Sequence, residues 1–245
     1  VWRSELSTRT ALTARTETPG VAATPARTPW RILDLGLARY GAVLEQQWAL
    51  LEARIRDRIP DTLILVEHPP VVTLGRAKST ANLLHTPEEL RAKGIEFFEV
   101  SRGGDATFHA PGQLVGYPIF DLRQHGRDVL RFCRGVEAAL IGVLDAFGLD
   151  ARSVPGKAGV WVGNRKIASL GVSLRRWVTF HGFALNVAVD LRGFRVIRPC
   201  GEEPEIMTSM EARLARPVAM DAVRRSVVAE FAREFGFGEQ SAASR

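Results

Sequence analysis

The sequence predicts an α+β fold, and three observations carry that prediction. Apolar stretches of strand length come in runs, above all between Gly159 and Val187. Segments with helical periodicity stand apart from them. No β-α-β alternation appears of the kind that marks a doubly wound sheet. The chain has 245 residues, 46% of them hydrophobic, which is ample material for a buried core, and no internal repeat or linker interrupts it after residue 30. One domain is expected over 30–237, between a disordered tail at 1–29 and a polar tail at 238–245.

Trp30 opens a short strand, W-R-I-L-D-L-G. From Ala38 to Ile59 apolar residues recur at Leu44, Trp48, Leu51, Ile55 and Ile59, a spacing that predicts a helix with one buried face, ended by Pro60 and Asp61. Thr62 to Val66 is an apolar strand, and Glu67-His68-Pro69-Pro70 turns it into a second run, Val71 to Leu74. Thr86-Pro87-Glu88-Glu89 starts a helix with a capping threonine, and Gly94 ends it. Ile95 to Val100 reads as a strand leading into a glycine-rich loop, Arg102 to Gln113, followed by the apolar run Leu114 to Phe120. A long helix is expected from Val129 to Phe147. Three strands follow as a meander, Gly159 to Gly163, Lys166 to Leu174 and Val178 to Val187, joined by Asn164-Arg165 and Arg175-Arg176. A last helix runs from Asp221 to Phe235 and stops at Gly236.

The formal net charge of +6 favours acidic partners: nucleic acid, an anionic membrane surface or an acidic protein. Cys133 and Cys200 are far apart, with no C-x-x-C and no cysteine/histidine ligand spacing. A disulfide framework and a metal site are therefore not expected, and a reducing cytoplasm is. No apolar run approaches the roughly 20 residues of a membrane helix, since Ala138 to Leu149 is broken by Gly142, Asp145 and Gly148. Residues 1 to 29 are rich in Thr, Ala and Arg and lack the apolar region of a secretory signal. They read as a solvated tail, with a composition that also occurs in organellar transit segments.

The loop R-G-G-D-A-T-F-H-A-P-G-Q cannot make a core, and its bare backbone can approach a ligand closely. Cys200 lies between Pro199 and Gly201, outside any periodic pattern, with Arg195 and Arg198 just before it. An electropositive loop is where a reactive thiolate forms. Cys133 falls on the apolar face of the long helix and reads as a packed thiol. Lys166 opens the strand K-I-A-S-L-G-V; it is either a solvated strand end or, desolvated beside a thiol, a proton-exchanging group. His109 and His181, each followed by small residues, read singly as loop or strand-end histidines.

Taken together, R-G-G-D-A-T-F-H-A-P-G-Q-L-V-G-Y-P, G-V-W-V-G-N-R-K-I-A-S-L-G-V, T-F-H-G-F-A-L-N-V and R-P-C-G, in this order and spacing, closely resemble the octanoyltransferases of lipoate biosynthesis. The resemblance extends upstream through Leu65 to Val71 and downstream to Thr208-Ser209. It implies the fold of the biotin and lipoate protein ligase catalytic domains, a mixed sheet with flanking helices. It also implies transfer of an octanoyl or lipoyl group from acyl carrier protein to a lysine of the lipoyl domains of 2-oxoacid dehydrogenase E2 subunits and of the glycine cleavage H protein, with no cofactor. Carried over by position, Cys200 matches the acyl-thioester nucleophile and Lys166 the lysine that tunes it. Arg102, Gly103, Gly104, Asp105, Ala106, Thr107, Phe108 and His109 match segments lining the acyl site, as do Ser169, Leu170, Gly171, Gly182, Phe183 and Ala184.

Two positions depart from the pattern. Ala110 replaces a usual glycine, which reshapes the loop if the backbone there needs φ > 0. Glu202 replaces a usual aliphatic residue, and its carboxylate opposes thiolate formation at Cys200 unless an arginine neutralises it. The rival readings are an ATP-dependent lipoate or biotin protein ligase of the same fold, and a basic nucleic-acid-binding protein. Dispersed arginines and the lack of an aromatic stacking platform speak against the second. No nucleic-acid or membrane partner is expected.

Overall fold

The computed structural model describes residues 28–77 and 80–240. The expected tail at 1–29 lies outside these residues except for Thr28 and Pro29, which belong to the first strand. Eleven strands are described: β1 (Thr28–Leu37), β2 (Asp61–Glu67), β3 (Val71–Leu74), β4 (Glu96–Glu99), β5 (Ala106–His109), β6 (Gln113–Ile119), β7 (Ala151–Val154), β8 (Lys157–Val162), β9 (Arg165–Arg175), β10 (Val178–Asn186) and β11 (Phe237–Gln240). Five α-helices accompany them: α1 (Tyr40–Ile55), α2 (Pro87–Ala92), α3 (Val129–Ala146), α4 (Met210–Leu214) and α5 (Met220–Phe235).

Eight strands form one mixed sheet in the order β11-β1-β2-β6-β10-β9-β8-β7. The β11–β1 and β1–β2 pairs are parallel and the others antiparallel. The continuous apolar runs of β2, β6 and β10 follow from covering on both faces. Leu63, Leu65, Leu114, Phe183 and Leu185 pack toward α3 and α5, whereas Ile64, Val66, Val115, Tyr117 and Ala184 pack with Tyr40, Val43 and Leu51 of α1. A small sheet, β4-β3-β5, sits beside the large one with its own cluster around Phe108, Val72 and Phe194. The cap expected at Thr86 is present: Glu89 N–H donates to Thr86 Oγ1 at 3.2 Å, and Thr86 N–H donates to the Glu89 carboxylate at 2.8 Å.

Three expectations need correction. The buried face of α1 is Tyr40, Val43, Gln47, Leu51 and Arg54, displaced from the apolar stripe. It is displaced because polar partners await two of its residues. Gln47 Oε1 accepts the His181 backbone N–H, and Arg54 is paired with buried Asp61 and Asp121. Trp48 stays 38% exposed at the rim. The stretch Arg102 to Gln113 is not all loop, since β5 pairs antiparallel with β3 through its middle. The segment expected as a tail from 238 continues β11, because Gly236 in the left-handed region (φ 71°) turns the chain and Phe237 stacks on Trp30 at 4.6 Å. Polar β7 escaped the apolar pattern because it is an edge strand.

Candidate active site

A cleft of about 1210 Å³ opens between the centre of β9–β10, the Arg102–Gly104 turn, the start of α3 and the β7–β8 hairpin. Glycines create its floor. Gly171 and Gly182 face each other in register, and a Cβ on Gly171 would lie 2.8 Å from Gly103 O. The bare positions let the glycine-rich turn lie on the sheet, where Gly103 N–H donates to Val172 O at 2.9 Å. Buried Arg102 pins that turn by donating from Nη2 to Thr73 O at 2.7 Å and from Nε to Thr73 Oγ1 at 3.2 Å.

Of the residues singled out for the acyl site, thirteen line this cleft: Arg102–Thr107, His109, Ser169–Gly171 and Gly182–Ala184. Phe108 does not. Strand alternation turns its ring away into the small sheet's cluster, where it meets Phe194 at 5.5 Å. Ala110 is buried in the same cluster and is not among the positive-φ residues. The tight turn falls instead on Gly112 (φ 86°), so the Ala110 departure leaves the loop unstrained.

Lys166 lines the cleft with only 7% exposure, so it is no solvated strand end. Its Nζ lies 5.7 Å from the centre of the Trp161 ring. Its aliphatic stem passes Gly159, whose φ of 111° suits only glycine and whose missing Cβ would sit 2.8 Å from Lys166 Cε. Its backbone is fixed as well, Lys166 O accepting Thr208 N–H at 2.9 Å. Cys200 is in a 3-10 turn, Pro199–Gly201, and the flanking Pro199 and Glu202 border the same cleft. Two segments distant in sequence thus converge on one cavity. The Glu202 carboxylate is neutralised by a lysine and not by an arginine: Lys157 Nζ lies 2.8 Å from Glu202 Oε1. That hydrogen bond and charge, with Lys166 adding a smaller share, hold Glu202 below its usual pKa.

The cleft's inner wall carries polar groups whose orientation can be read from their partners. Asn186 Nδ2 donates to Thr208 O, so Asn186 Oδ1 accepts from Gln113 Nε2 at 2.9 Å. Gln113 Oε1 then accepts from His109 Nδ1–H at 2.7 Å, leaving His109 Nε2 as an acceptor on the cleft side. His68 Nδ1–H donates to Ala38 O, so its Nε2 accepts from Tyr117 Oη–H at 2.8 Å. Burial lowers the pKa of His68 to about 4 and those of His109 and His181 to about 3, and the rings are neutral at physiological pH. Burial likewise pushes the Tyr40 hydroxyl up to about 12. His181 stands in β10 with φ 57°, which reverses the normal strand geometry and turns it toward the cleft. Its Nδ1 has no partner among the described residues. Sequence reasoning missed Tyr40 and Tyr117, whose roles depend on contacts between remote segments, and Trp161 and Gly159, which meet Lys166 across the β8–β9 hairpin.

The lipoyl protein ligase A/B catalytic domain family matches residues 39–232. Octanoyltransferases from Geobacter metallireducens and Solibacter usitatus are each 48% identical to this chain. The first alignment covers 82% of this chain and 91% of the relative, the second 83% and 92%. The octanoyltransferase of Roseiflexus sp. (strain RS-1) is 47% identical over 80% of this chain and 83% of its own. Among solved structures, a lipoate-protein ligase A bound with ATP superposes with TM-score 0.67 at 18% identity, over 89% of this chain and 90% of that one. The fold is shared with the ligases.

Proposed function

Because this chain belongs to the lipoyl protein ligase A/B catalytic domain family, we propose that it is an octanoyltransferase of lipoate biosynthesis working through a thioester on Cys200. The carrier is acyl carrier protein. The acceptors are lysines of the lipoyl domains of 2-oxoacid dehydrogenase E2 subunits and of the glycine cleavage H protein. The observation that supports this reading is the meeting of Lys166, through a gap kept open by Gly159, with the Cys200 turn on one glycine-floored cleft.

Cys200 attacks the carrier thioester as thiolate, its proton passing to Lys166, and the carrier thiol leaves with a proton. The step exchanges one thioester for another and is nearly balanced in energy. The acceptor lysine then attacks the acyl-enzyme as free amine. Its C–N bond forms, the Cys200 thiolate leaves, and Lys166 mediates the proton transfer. The developing oxyanion needs backbone N–H donors; Gly201 N–H is already given to Arg198 O at 3.1 Å, so this reading assigns the role to the strand around Gly171. The glycine-rich turn, seated on the sheet at bare Gly171, walls the slot proposed for the hydrocarbon chain, where each buried CH₂ contributes about 0.8 kcal/mol and so discriminates chain length. The positive net charge favours encounter with acidic carrier and acceptor domains.

Incubation with octanoyl-acyl carrier protein, read by intact mass, is expected to give one octanoyl adduct that is absent in Cys200→Ser. Transfer to a lipoyl domain falls about a thousandfold or more in that variant. A folded protein that takes no adduct, or a Cys200→Ser variant that still lipoylates in the presence of ATP, overturns the reading in favour of a ligase.

A further inference from the structure

The turn that carries Cys200 has little regular structure of its own, and its extended pairing runs to the stretch Asn82–Leu84. Leu83 bridges Ile197, Leu84 N–H donates to Val196 O at 3.0 Å, and Arg198 N–H donates to Asn82 O at 2.8 Å. The Asn82 side chain makes a second attachment, Nδ2 donating to Asp105 Oδ2. Asp105 is buried, follows Gly104 directly and belongs to the cleft wall. A Cβ placed on Gly201 would come within 3.8 Å of Asn82 Nδ2, so this amide also lies against the far end of the Cys200 turn. One half-buried asparagine therefore bonds the start of the nucleophile's turn, lies beside its far end and ties it to the glycine-rich turn.

We propose that Asn82 is a positioning residue for acyl transfer: its carbonyl and amide fix the Arg198–Gly201 turn against Asp105 and so set where Cys200 meets the bound thioester. This rests on the octanoyltransferase reading above. Thioester exchange needs the reacting atoms near contact and aligned, and a displacement of about 1 Å costs on the order of a hundredfold in rate. Asn82 does not itself line the cleft. Loss of the tie therefore lowers the rate of the acylation step and leaves affinity for the donor in place.

The test is single-turnover acylation by octanoyl-acyl carrier protein, followed by intact mass over a range of donor concentrations. Asn82→Ala is expected to acylate more slowly by about tenfold or more at saturating donor, with the half-saturating donor concentration within about twofold of wild type. Asn82→Gln, which keeps an amide within reach of Asp105, is expected to recover most of the rate lost in Asn82→Ala. Thermal midpoints establish that each variant is folded, and Asn82→Ser, too short to reach Asp105, replaces Asn82→Ala if that variant does not fold. Acylation at the wild-type rate in the folded single variant overturns the proposal. So does a folded Asn82→Gln variant as slow as Asn82→Ala, or a loss that falls on donor affinity and not on rate. Wild-type protein that takes no octanoyl group instead overturns the octanoyltransferase reading itself, which separates the two failures.

Discussion

Cys133 and the turn bearing Cys200 border the same cleft, yet their surroundings are opposite. Cys133 is in the second turn of α3 and packs against the cluster that α3 shares with α5. Burial, with Glu137 one helical turn on adding its charge, pushes its thiol up to about 11. Cys200 belongs to a short 3-10 turn whose start is hydrogen-bonded to Asn82, and the carboxylate two residues on is paired with Lys157. A helix places a thiol where packing wants it and leaves its charge state to desolvation. An irregular turn held by hydrogen bonds has no periodic face to bury, and that freedom is what the nucleophile proposed at Cys200 requires.

The largest test of this contrast after removal of Cys200 itself is Lys166→Met. It keeps the stem along Gly159 and deletes the charge, so acyl transfer is expected to fall by about a hundredfold to ten-thousandfold with the fold intact. A steady-state octanoyl transfer assay reads this directly, and a variant within a few fold of wild type would remove the lysine from the chemistry. A smaller and sharper test compares the two thiols within one molecule by alkylation with iodoacetamide at a series of pH values. With its pKa raised to about 11, Cys133 is about one part in ten thousand thiolate at pH 7, and its alkylation rises about tenfold per pH unit up to that value. Cys200 is expected to be modified first throughout the neutral range. Peptide mapping that finds Cys133 labelled equally fast at pH 7 would erase the contrast.

Much of the scaffold was legible in the sequence, because β2, β6 and β10 are buried on both faces and must be apolar throughout, and because α3 keeps an unmixed apolar stripe. Elements that obey a partner instead of a period were not. Gln47 and Arg54 face inward on α1 to meet His181 and Asp61, β5 has only four residues between glycine-rich turns, and β11 pairs along a polar segment with Phe237 as its anchor. The site divides in the same way. Arg102–Gly104, Gly171 and Gly182 were visible as glycine-rich segments whose role depends on missing side chains. Asn82 behind the Cys200 turn acts across a long sequence separation, and Gly159 meets Lys166 across the β8–β9 hairpin, a contact that residue spacing alone does not announce.

The smallest expected effect closes the comparison from the other side. Cys133 lines the cleft, so its position alone would make it a second nucleophile, and only its environment argues otherwise. Its sulfur is half-buried among Phe132, Val136 and their neighbours and carries a proton across the working pH range, so Cys133→Ala removes packing and no charge. Stability is expected to drop by about 1 kcal/mol, toward the low end for trimming a core side chain because the site is open on one side. Octanoyl transfer is expected to stay within about twofold of wild type. A denaturant midpoint and a transfer rate measured on the same preparation check both. A tenfold loss of rate with an unchanged midpoint would mean that proximity to the cleft outweighs the raised pKa, and that the helix thiol takes part after all.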